Sequence, residues 1–93
     1  MLSQIPIDLD FIKGENLDNQ ILRVAIIAEL DAINLYEQLA LKTKDKNLKD
    51  ILLDVAKEEK THVGEFQTLL LKKDKEQEKE LKNAKKEVEE LIK

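Results

Sequence analysis

From Leu22 onward, apolar residues return in alternating steps of four and three. They are Leu22, Ile26, Ile33, Tyr36 and Ala40, with Glu29 in a slot where an apolar residue belongs. A second run repeats the rhythm as Leu48, Leu52, Val55, Phe66 and Leu69, and here Glu59 and His62 fill two slots. This spacing belongs to helices that bury one stripe against other helices. It predicts a first helix over 17–44, capped by Asn16, and a second over 47–73, with Asp45 and Asn47 as candidate caps. The polar stretch Lys44-Asp45-Lys46-Asn47 between them is a short reversal, so the two helices fold back antiparallel. A third, shorter helix is predicted over 75–92, where Asp74 and Gln77 form a capping-box pattern. Its stripe of Leu81, Ala84, Val88 and Leu91 is thin and suits contact with another chain.

Two glycines and one proline punctuate this pattern. Gly64 sits inside the second helix at some cost to stability, which predicts close packing there. Residues 1–15 hold Pro6, Gly14 and the alternating set Ile5, Ile7, Leu9 and Phe11. They predict an extended N-terminal arm that docks on a neighbour. The fold class is therefore all-α, a two-helix hairpin plus a C-terminal helix, in a single domain over 1–93.

The polar residues in the seam carry the chemistry. Glu59 and His62, three apart, share one face of their helix. Glu29 and His62 are equidistant from the reversal and so face each other, and Glu59 lies about 4.5 Å further along the axis at roughly 1.5 Å per residue. A buried carboxylate loses its hydration at a cost of several kcal/mol, so such groups are paired or bound to metal. Two carboxylates and an imidazole suit iron or manganese, with zinc as a substitute. The competing reading is structural, in which the same residues only set helix register. Tyr36 reads as an ordinary core tyrosine, while Asp31, Glu37 and Glu58 fall off the seam and read as solvated surface.

Three ligands are half a set. Dinuclear carboxylate proteins use one Glu from each of two helices and a Glu-x-x-His from each of two others, all pointing into a four-helix core. Two copies about a twofold axis supply that set, so the residues predict an isologous homodimer with metal at its axis. A chain of 93 residues also buries a modest share of its surface and gains from such a partner. Absent cysteines exclude disulfides, thiolate zinc sites and iron–sulfur clusters. A net charge of −4 argues against nucleic acid. The first residues lack a signal-peptide pattern and no apolar run is long enough to span a bilayer, so a cytoplasmic protein without a membrane partner is expected.

The segments Ala28-Glu29-Leu30-Asp31-Ala32-Ile33-Asn34-Leu35-Tyr36-Glu37-Gln38 and Glu58-Glu59-Lys60-Thr61-His62 resemble the encapsulated ferritins. The resemblance covers roughly 21–71 and is nearest to the archaeal type in which the domain is fused to an encapsulin shell protein. It implies a ferritin-like domain that dimerises into a four-helix bundle, in a decameric ring of dimers. It also implies a ferroxidase centre with two iron ions per dimer, Glu29, Glu59 and His62 as catalytic metal ligands, and Tyr36 beside them. Iron would be oxidised and stored inside an encapsulin nanocompartment, in its lumen. The family's outer acidic metal-entry pair is half kept, as Asp31 with Ala28 at the other position, and Leu35 stands where an aromatic often precedes the tyrosine. The final residues, Glu89 to Lys93, match no cargo-loading tail, which fits fusion better. The function expected is thus a ferroxidase. The alternatives are another dinuclear enzyme, peroxidase-like or manganese-catalase-like, or a structural helical adaptor.

Overall fold

A computed structural model describes residues 14–93, which form three helices: α1 (Glu15–Lys42), α2 (Lys46–Lys73) and α3 (Lys75–Leu91). The expected N-terminal arm lies almost wholly outside the described residues. α1 starts two residues earlier than predicted, after Gly14 rather than Asn16. Gly14 has φ 67°, a left-handed conformation that a glycine adopts without strain. Its carbonyl accepts from the Leu17 N–H at 3.1 Å, so the backbone itself opens the helix and the Asn16 side chain is not needed as a cap. α1 also ends two residues early, where the extended backbone of Thr43 turns the chain.

Asp45 caps α2. Its Oδ1 accepts from the N–H of Asn47 at 2.9 Å and from that of Leu48 at 3.2 Å. These bonds satisfy two of the amides that a helix start leaves free. α1 and α2 then pack against each other as the antiparallel hairpin, and α3 touches α2 only lightly. Two cross-helix contacts mark a constant register: the Asp18–Lys73 ion pair at 3.8 Å near the open end, and the approach of His62 Nδ1 to Glu29 Oε2 at 3.5 Å, eleven residues nearer the turn on each helix.

The hairpin core is small. Leu22, Ile33 and Ala40 from α1 and Ala56 and Leu70 from α2 are its buried apolar residues. The α1 stripe is the predicted one. On α2 the stripe is rotated: Ala56 and Leu70 turn inward, whereas Leu48 and Leu69 remain 48% and 46% exposed. The signal was the heptad-spaced set Ala56, Val63, Leu70, which runs beside the expected line. Gly64 departs from expectation as well. It is exposed, and a Cβ built on it meets nothing within 4 Å, so no close approach inside the described chain requires it.

The molecule is not compact. A globular domain of this chain length has a radius of gyration of roughly 12 Å, against 16.5 Å here. Its surface of 7565 Å² compares with about 5,500 Å² for a compact monomer of this mass. The extents are 46 × 44 × 20 Å. α1 and α2, each of 28 residues, account for one long dimension, at roughly 42 Å. The other requires α3, about 25 Å long at the helical rise, to leave across the hairpin rather than along it.

One residue makes that corner. The Asp74 N–H closes α2 on the Leu70 carbonyl at 2.7 Å, and its Oδ1 accepts from the Gln77 N–H at 3.0 Å to start α3. The capping box is therefore half formed, because the amide that a Gln77 side chain would reach is already used by α2. The Gln77 N–H, together with the guanidinium of Arg23, holds the Asp74 carboxyl below its ordinary value of 3.8. A folded value below the unfolded one stabilises the fold fully above the unfolded value and loses that contribution as pH falls through the folded value. The Gln77 amide shift, followed by NMR, should therefore titrate with a midpoint below 3.8, and Asp74→Ala should abolish that transition and lower the amide's exchange protection at neutral pH. A midpoint at or above the ordinary value would contradict the cap.

Candidate metal centre

Glu29 is on α1, and Glu59 and His62 are on α2 one turn apart. Because the hairpin register sets Glu29 opposite His62, the three side chains converge from two helices. His62 Nδ1 lies 3.5 Å from Glu29 Oε2 and 3.6 Å from Glu59 Oε2, and one donor atom from each residue lies within 4.8 Å of the others. These contacts are too long for good hydrogen bonds. Glu29 Oε2 is buried and has no hydrogen-bond partner.

An unsatisfied buried carboxylate oxygen beside a second carboxylate fits a cation. With bonds of about 2.1 Å, two ligands on one ion are separated by at most roughly 4.2 Å. The cluster, with its donors within 4.8 Å of one another, therefore closes on an ion with adjustments of less than about 1 Å. Oxygen and imidazole donors without sulfur select a first-row metal of the iron and manganese type. The group is partly open: Glu29 and Glu59 side chains are 21% and 18% exposed, and His62 is 43% exposed.

What surrounds the opening is apolar. At 3.6 residues per turn, Ile21, Ala28 and Leu39 on α1 and Ile51, His62 and Leu69 on α2 share one side of the hairpin. All but the half-exposed His62 are exposed. Glu29 and Glu59 lie at the edge between this face and the intrachain seam. Tyr36 is half-buried on the α1 face that carries Glu29, two turns on.

Off the cluster, Glu58 is exposed as expected, and Glu37 is half-buried in a pair with Lys60 at 3.3 Å. Asp31 departs from the solvated-surface expectation, since it is half-buried and its Oδ2 has no partner. It lies on α1 away from the three-residue group. The described residues contain no other group of three or more His, Asp or Glu side chains close enough to share an ion.

The Rubrerythrin family model matches residues 20–93. The chain belongs to the rubrerythrin family. Within it, the resemblance to the encapsulated ferritins holds. The crystal structure of the encapsulated ferritin domain from Pyrococcus furiosus is 56% identical and superposes with a TM-score of 0.85, covering 98% of this chain and 95% of that one. A ferritin-like-encapsulin shell fusion protein of Pyrococcus furiosus is 65% identical over 72 residues, which are 77% of this chain. The match spans only 21% of that relative's length. This rubrerythrin-family chain thus has the ferritin-like all-α fold, and no helix among its described residues is long and apolar enough to cross a membrane.

The cluster makes a stability prediction free of metal. If Glu29 and Glu59 repel each other without compensation, Glu29→Gln in metal-free protein at pH 8 should be unchanged or stabilised, by about 0–2 kcal/mol in a urea melt. Destabilisation beyond about 1 kcal/mol would mark Glu29 as a structural partner held by a contact in the apo chain.

Proposed function

We propose that this protein is a ferroxidase, whose substrate Fe(II) is oxidised at a di-iron centre formed between two copies of the chain. The observation that carries this reading is the convergence of Glu29, Glu59 and His62 at the edge of an exposed apolar face. A second copy packed on that face about a twofold axis brings the same three donors to the same place. The complement becomes four carboxylates and two imidazoles, the donor set of ferritin-like dinuclear bundles. Covering the face would also bury part of the surface in excess of a compact monomer.

In this centre each Fe(II) gives up one electron, so a pair supplies two to a co-reactant of the dioxygen class. The residues set the direction of that change. Glu29 and Glu59 bring negative charge that favours Fe(III) over Fe(II), and the His62 nitrogen completes the binding without adding charge. Ile51 and Leu69, flanking His62 on α2, exclude bulk water once a second copy covers them, which strengthens these electrostatic effects. Tyr36, two turns from Glu29 on the same face, is a candidate residue beside the centre, and Asp31, away from the cluster, is a candidate point of metal entry. Manganese or zinc would bind the same donors.

The fusion of a similar domain to an encapsulin shell in Pyrococcus furiosus supports a place for this chain inside an encapsulin nanocompartment, feeding iron to storage in its lumen. An assembly of dimers into a decameric ring accords with the exposed stripe on α3.

Replacing Glu59 or His62 by Ala removes one ligand twice per dimer. Fe(II) affinity should fall by at least the roughly 10–100-fold typical of a mutated supporting residue in a metal site, and rapid oxidation on admitting air should disappear. Glu37→Gln, which breaks only the surface pair with Lys60, should oxidise iron at the parental rate. Parental kinetics in both alanine variants would place the chemistry elsewhere.

A further inference from the structure

We propose that the ion pair between Arg23 and Asp74 is a conformational latch that fixes the angle at which α3 leaves the hairpin. The connection between α2 and α3 is Asp74 alone, with φ −111° and ψ 92°, an extended conformation between two helical ones. A single extended residue is a pivot, since small changes in its two dihedrals swing everything beyond it. Its N–H and Oδ1 are occupied along the chain, by Leu70 and Gln77, and these bonds fix where α2 ends and α3 begins. They leave the direction of α3 relative to α1 free.

Oδ2 supplies the missing constraint. It accepts from Arg23 Nη2 at 2.9 Å, a contact that reaches across 51 positions of sequence to the first helix. Among the described residues this is the one side-chain hydrogen bond or ion pair joining α1 to Asp74 itself, and none joins the body of α3 to the hairpin. α3 has no buried residue of its own. With only light contact to α2, packing holds it weakly, and one carboxylate collects all three helices.

The neighbouring charges do not duplicate the latch. Lys73 reaches Asp18 at 3.8 Å, which joins α2 to α1 but stops one residue short of the pivot. The Arg23 side chain is half-exposed and that of Asp74 is 16% exposed. The pair is therefore open to screening by salt. The latch aims the stripe of half-buried Leu81 and exposed Ala84, Val88 and Leu91 in one direction. In an assembly built from copies of this chain, that direction decides whether successive contacts close or run open.

The chain lacks cysteine, so spin labels can be placed cleanly at Lys49→Cys near the hairpin turn and Glu90→Cys near the end of α3. Their separation is read by pulsed electron–electron resonance in the assembled protein, spin-diluted with unlabelled chain. The latch predicts one narrow distance in the parent. Arg23→Ala, which leaves the α3 cap intact, should raise the ratio of displaced to latched α3 by up to about fivefold, the effect of losing an exposed ion pair at the top of its usual range. Arg23→Lys should restore part of the narrow population. The parent itself should broaden in 1 M salt, where the Debye length is about 3 Å. This arm tests the latch even if Arg23→Ala proves misfolded by circular dichroism. An unchanged distance distribution in Arg23→Ala and in high salt would overturn the proposal.

Discussion

Two carboxylates and an imidazole at the edge of an apolar helix seam set the terms for the rest of this structure. Alone they are a liability, because Glu29 Oε2 is shielded from water and has no hydrogen-bond partner, and burial of that kind costs free energy. Such a group persists where something compensates it, and a cation held by all three donors does so at little structural cost. The hairpin serves this arrangement. Its register brings Glu29 against His62, its small core of leucine, isoleucine and alanine lets the helices approach, and Asp45 and Asp74 fix where α2 begins and ends.

The same constraint explains why so much apolar surface is left uncovered. The hairpin buries a few apolar side chains between its helices and leaves Ile21, Leu39, Ile51 and Leu69 exposed on the side that carries His62. A monomer would gain by burying them, and by roughly 25 cal/mol per Å² their burial is a strong drive to associate. With Glu29, Glu59 and His62 at the border of that face, a cation shared between copies as proposed would couple binding to association, because it would stabilise only the assembled form. Family membership and the structural likeness to the Pyrococcus furiosus domain supply the fold independently of this argument.

Much of the architecture was legible in the spacing of apolar residues, because helices announce themselves through periodicity and both reversals carry capping residues. The grouping of Glu29, Glu59 and His62 was legible for the same reason: polar residues in an apolar rhythm stand out, and the position of the turn fixes which face each other. The rotation of the α2 stripe toward Ala56 and Leu70 was not. α2 carries a wide apolar surface, with Ile51 and Leu69 exposed beside the buried Ala56 and Leu70, and spacing alone does not say which edge packs inside the chain. The start of α1 was misjudged by two residues because Asn16 is a common cap, whereas the left-handed Gly14 opens the helix instead. Arg23–Asp74 was also invisible, as a contact between residues far apart in sequence leaves no local pattern.

In the proposed centre one chain holds half of the metal ligands and a second copy completes them. Sedimentation equilibrium under anaerobic conditions, with the iron in the protein band counted as Fe(II) is added, tests this most directly. The expected result is a mass of two chains or an even multiple, with association strengthened by iron and binding saturating at one Fe(II) per chain, that is, two per dimer. A chain that binds Fe(II) and remains monomeric, or one whose association is indifferent to iron while none is bound, would contradict it.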